Sequence, residues 1–153
     1  MTGPDLPLPP LLLTLVDDGR WPATAEVARR QHLAPLVSAE RIAAVADDQD
    51  SLYLYPPPFQ TVAEDIAILD EAGWTFWPEF GSTHELDPAL ALIIGDFGLG
   101  SDSPILLDYR STPEPTVLRL AWLDGGTAPA PPATTWVTIA PSFADFAAAI
   151  GLA

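Results

Sequence analysis

The chain has 153 residues, enough for one domain with a sizeable core, and 48% of them are hydrophobic, which excludes a disordered chain. No apolar run approaches the ~20 residues needed to span a bilayer. Twenty-one acidic residues face six arginines and no lysine, a net charge of −15 that argues against binding nucleic acid or an anionic membrane, since both need a basic face.

Cysteine is absent, so disulfide and thiolate chemistry are excluded. The opening MTGPDLPLPPLLLTL carries Asp5 and four prolines, with no basic residue ahead of its apolar run. It does not read as a signal peptide, and a cytoplasmic protein is the expectation. The acidic balance leaves two readings open: a solubilising surface, or a field that attracts a basic partner.

In chain order, Leu11, Leu12, Leu15 and Val16 recur at helical spacing, with Gly19 as a stop. Trp21, just before Pro22, is assigned to no element. Thr24 caps a helix running to about Gln31, with Glu26 in its first turn, and Pro35 closes that region. Ser38 caps a third helix whose apolar face is Ile42, Val45 and Ala46. The tract DDQD at 47–50 reads as a solvated loop, SLYLY at 51–55 as a short strand, and Pro56, Pro57 and Pro58 as an extended segment. Thr61 and Glu64 form a T-x-x-E capping box that starts a helix ending at Gly73. WTFW at 74–77 is expected to be a strand, because aromatics suit a half-buried pleat, and residues 78–88 to be turns.

Three strands follow, at 90–94, 104–109 and 116–122. The first is apolar on both faces and therefore central. Ile105, Leu107 and Tyr109 share one face of the second, and Leu118, Leu120 and Trp122 one face of the third. The six-residue link 110–115 implies a hairpin. DGGTAPAPPATT at 124–135 reads as a flexible loop and WVTI at 136–139 as a last strand. Ser142 and Asp145 cap a final helix with Phe143, Phe146, Ala147 and Ile150 inward. Trp74, Trp77, Trp122 and Trp136 are expected on strands, packed in the core, with a partner-facing anchor as the alternative. The pattern is α+β, a single domain with a mostly antiparallel or mixed sheet, helices N-terminal to it and one C-terminal helix packed on it.

Most chemistry is excluded by missing parts. Asp96-Phe97-Gly98 spells the kinase DFG, but there is no lysine and no HRD. GDFGLG fails as a P-loop and has the wrong glycine spacing for a dinucleotide loop, so its glycines read as a tight turn with positive φ. His84, Glu85 and Asp87 offer one histidine in a polar turn, a poor metal site. His32 belongs at a helix end. Adjacent pairs such as Asp17/Asp18 point apart, and Asp102 and Asp108 lie ~20 Å apart along an extended strand, too far for paired-carboxylate catalysis. No catalytic residue, metal or cofactor is expected.

The candidate binding surface is the glycine-rich loop. Asp96, Ser101 and Asp102 would supply polar groups, Phe97 an apolar contact, and Gly98 and Gly100 room for a partner's backbone. Asp96 could instead only stabilise a turn. The tract Asp47, Asp48 and Asp50 is the next candidate.

LYPPPF at 54–59, the helix after it, WTFW at 74–77, IGDFGLGSDSPILLDYR at 94–110, VLRLAW at 117–122 and SFADFAAAIGL at 142–152, in that order, resemble the SUKH superfamily, which includes the fungal Smi/Knr-type cell-wall regulators. The similarity spans about 38–152, leaving 1–37 as a less constrained helical part. Its motif residues here are Gly95, Gly98, Gly100, Asp108, Tyr109 and Trp122, and the Pro/Ala stretch 124–135 is a departure. The resemblance implies an α+β fold and a non-enzymatic role. Bacterial members are similar to immunity proteins that neutralise polymorphic toxins, often nucleases, by direct binding; fungal members regulate wall synthesis. The lysine-free, Ala/Pro/Arg-rich composition looks like a GC-rich bacterium and favours the first. The expected partner is a basic protein toxin. A cell-wall adaptor is the alternative, and a small hydrolase or ligand-binding protein comes third.

Overall fold

The computed structural model describes residues 6–97, 103–110, 114–123 and 133–153. Helix α1 (Pro10–Asp17) begins with proline in its first turn, where the missing N–H costs nothing, and ends before Gly19 at φ 82. Helix α2 (Ala25–Arg29) is capped by Thr24 and runs into a 3₁₀ turn at Arg30–His32; α3 (Ala39–Val45) is capped by Ser38. Strands β1 (Leu52–Leu54) and β2 (Gln60–Thr61) precede α4 (Val62–Glu71) and α5 (Phe76–Phe80). Then come β3 (Ala91–Phe97), β4 (Ser103–Asp108), β5 (Thr116–Leu123), β6 (Ala133–Ala140) and α6 (Phe143–Ala149).

Among the described residues all strand pairings are antiparallel, in the order β1-β3-β4-β5-β6, with β2 also paired to β3. This is an α+β fold with helices packed around one six-stranded sheet. The strand expected at 136–139 starts earlier: Ala133, Thr134 and Thr135 of the expected loop belong to β6, while 124–132 lie outside the described residues.

The strand expected at 74–77 is corrected. Trp74 and Thr75 lie outside regular structure, and Phe76 and Trp77 open α5. Phe76 and Phe80 are one helical turn apart and touch at 6.3 Å, a spacing of four that a strand reading overlooks. Pro78 falls in the first turn, where helices tolerate it.

One face of the sheet carries Leu92, Ile94, Ile105, Leu107, Tyr109 and Val117. Helices α1, α3 and α6 cover it with Leu12, Leu15, Ile42, Phe143, Phe146 and Ile150. Trp21 has 0% exposure within this layer; its ring meets Phe143 at 5.7 Å and its indole N–H donates to the Tyr55 carbonyl at 2.8 Å. The other face is smaller. Ile93, Leu106 and Leu118 meet Val62 of α4 and Trp77 of α5, and Trp77 stacks on Trp136 of β6 at 6.2 Å.

Side chains occupy particular backbone groups on the outer strands β1 and β6. On β1, the buried Gln31 amide donates to the Leu54 carbonyl at 2.9 Å and accepts from the Leu54 N–H at 2.8 Å. On β6, the Ser82 hydroxyl lies 2.8 Å from the Thr134 carbonyl, and the Glu85 carboxylate accepts from the Trp136 N–H at 2.8 Å.

Candidate functional site: an aromatic groove on the thinner face

The thinner cover leaves a groove of about 690 Å³ between the β1–β2 connection, α4, α5 and strand β3. Local sequence signals place its side chains. Pro56 and Pro58 hold the connection extended. The expected capping box is formed: the Thr61 hydroxyl accepts from the Glu64 N–H at 3.1 Å, and the Glu64 carboxylate accepts from the Thr61 N–H at 2.9 Å. That start sets the phase of α4, so Asp65 and Leu69, one turn apart, both line the groove.

The end of α4 is equally specified. Gly73 adopts φ 83, its N–H donates to Asp70 O at 3.1 Å, and the Trp74 N–H donates to Leu69 O at 2.8 Å. This is a Schellman closure, which needs the left-handed conformation that glycine supplies. It throws Trp74 outward to 65% exposure at the groove's rim, beside Leu69. Trp77 takes the opposite role: it is buried, with its indole N–H donating to Asp65 Oδ2 at 2.7 Å.

Asp96 was expected in an exposed loop. It belongs to β3, at 1% exposure, and lines the groove. Its Oδ1 accepts from the Ser103 N–H at 3.1 Å and its Oδ2 from the Tyr55 hydroxyl at 3.4 Å. The register of β3 against β4 shifts between Ile93 and Gly95. That irregularity resets the alternation, so Asp96 shares the groove with Ile93 while Phe97 joins the core on the opposite face. Gly95 is likewise corrected from a positive-φ turn residue to a strand residue. A Cβ there would lie 2.8 Å from the Tyr53 carbonyl, so glycine is required for β1 to approach β3. Gly98, Gly100, Ser101 and Asp102 lie outside the described residues.

The other candidate residues gather elsewhere. Phe97 is fully buried with the Arg119 guanidinium 5.9 Å from its ring centre, and Arg119 pairs with Asp48 at 2.8 Å. Burial raises the Asp48 carboxyl, but Arg119 outweighs it and holds the group below the usual carboxylate range. Asp47, Asp48 and Asp50 are exposed, so the acidic tract is pinned beside the end of β3 by one internal ion pair. Asp108 accepts from the Arg110 guanidinium at 2.9 Å. Tyr109 is buried and donates to the Pro7 carbonyl at 2.8 Å, and burial pushes its hydroxyl up to about 12. Trp122 is half-buried against Phe80, ring centres 5.3 Å apart.

The His84, Glu85 and Asp87 side chains do not converge as a set of three: His84 Nε2 lies 3.7 Å from the Glu85 carboxylate, and Asp87 bonds elsewhere. Glu85 turns to β6, and Asp87 caps a 3₁₀ turn through the Ala89 N–H. Among the described residues, no group of three or more His, Cys, Asp or Glu side chains is placed to hold a metal, and no helix is long and apolar enough to cross a membrane. Among the described residues, four arginines form ion pairs with carboxylates of this chain: Arg20 with Asp18 at 2.7 Å, Arg30 with Glu26 at 3.7 Å, and Arg110 and Arg119 as above.

Sequence reasoning missed Asp65, Trp74 and Phe76 as groove residues. The signals were present: the capping box fixes where Asp65 points, and Gly73 fixes where Trp74 goes. No protein-family model, curated protein or solved structure matches this chain.

Proposed function

We propose that this chain is a non-enzymatic protein-binding domain that neutralises a basic protein toxin, in the manner of the SUKH immunity proteins it resembles, by direct contact. One observation carries the reading. The chain has a charge of −15, and among the described residues Arg20, Arg30, Arg110 and Arg119 are held in internal pairs, so a strongly acidic exterior faces any partner. Such a field speeds encounter with a basic surface, such as the phosphate-gripping face of a nuclease, and repels acidic proteins. The exposed tract Asp47, Asp48 and Asp50 is its densest described segment and contributes to steering.

The test begins with the neighbouring reading frames. A large secreted protein with a small C-terminal toxin domain is the expected neighbour. Co-expression of the chain should then restore growth to cells making that domain. Neighbours confined to wall synthesis, or a toxin domain that kills regardless of this chain, would replace this reading with a cell-wall adaptor.

A further inference from the structure

We infer that the groove is a receptor for an arginine side chain presented on an extended, apolar segment of a partner protein. This deepens the reading above, on which it rests only for the partner's identity. The groove is walled by aromatic and proline surfaces, among them Tyr55, Pro58, Trp74 and Phe76, and contains Asp65 and Asp96. Among the described residues, no arginine, lysine or histidine lines it. The charge it complements is therefore positive, and its walls are rich in aromatic rings.

Arginine answers both features. Its planar guanidinium stacks on aromatic rings and meets a carboxylate through two parallel hydrogen bonds, which an ammonium cannot do. Asp65 is held for that role: Trp77 donates to its Oδ2 at 2.7 Å, which fixes the carboxylate, while a carboxylate accepts up to about four hydrogen bonds. Trp74, exposed on its Schellman turn, is placed to cover the arriving group. At about 690 Å³ the groove is of the size that takes a drug-sized ligand, more than one side chain fills. The arginine therefore arrives with flanking apolar residues that lie against the prolines and Tyr55.

The experiment uses the intact chain and an acetylated, amidated Leu-Arg-Leu peptide, followed by amide and indole N–H NMR shifts. The expected result is saturable shifts at the Trp74 and Trp77 indoles. A Leu-citrulline-Leu peptide, isosteric but uncharged, should bind at least about tenfold more weakly. Asp65→Asn keeps an acceptor for Trp77 but loses the charge, and should weaken Leu-Arg-Leu by a similar factor. Trp74→Ala alters an exposed residue and should weaken it roughly fivefold. Equal binding of the citrulline peptide, absence of indole shifts, or binding of choline in preference to Leu-Arg-Leu would each overturn the inference. None of these outcomes touches toxin neutralisation, which is read by growth, and a failed growth test leaves the peptide result standing.

Discussion

Two tryptophans separate the two faces of the sheet. Trp21 is fully enclosed against α6 with its indole N–H satisfied by the Tyr55 carbonyl, whereas Trp74 stands mostly in solvent beside a groove. The first face is closed by three helices and holds most of the core; the second is covered by α4 and a five-residue helix. The same residue type thus serves stability on one side and is available for recognition on the other. What decides is how much helix the sequence lays over each face.

The contrast breaks most sharply by deleting the two rings in turn. Trp21→Ala should cost about 3–5 kcal/mol, as loss of a large core ring generally does, and its urea midpoint should fall accordingly. Tyr109, on the closed face, keeps its proton in the folded state up to about pH 12, while the unfolded chain loses it near 10. Its folded pKa is raised, so its contribution is intact below pH 10 and is lost as pH rises from 10 to 12. The loss is of order 2 kcal/mol, read as unfolding free energy against pH, and Tyr109→Phe should flatten that alkaline limb.

Gly95→Ala tests the seam between the faces. The added methyl would press on the Tyr53 carbonyl, and pushing β1 away should cost about 1–3 kcal/mol with slippage of Asp96 from the groove. Hydrogen exchange at Tyr53 and Tyr55 should rise with it. Trp74→Ala, on the open side, should leave stability within about 0.5 kcal/mol of the parent while changing binding. A large loss of stability there would mean that the groove face is as structural as the closed one.

Much of this was legible from residue order. Alternation in 105–109 and 117–122 states which side chains turn inward, and the structure places Ile105, Leu107 and Tyr109 together. Caps at Thr24, Ser38, Thr61 and Ser142 announce their helices, because each side chain satisfies an otherwise orphaned N–H. Asp96 was misplaced because three glycines in six residues look like a turn, while the irregularity that re-aims it depends on a partner strand. The Asp48–Arg119 pair joins positions far apart in sequence, which no local pattern encodes. Trp74 was drawn to a strand by aromatic propensity, although the left-handed Gly73 before it had already fixed its exit.

The side chains seated on the two outer strands have a further consequence. A bare outer strand is a template for another chain's backbone, and that is how folded proteins aggregate or swap segments. Gln31 fills both Leu54 positions that a foreign strand would need, and Ser82 and Glu85 do the same at Thr134 and Trp136. At those points the sheet cannot grow by adding a seventh strand. Backbone pairing of another chain at Leu54, Thr134 or Trp136 would first have to displace a side chain already bonded there.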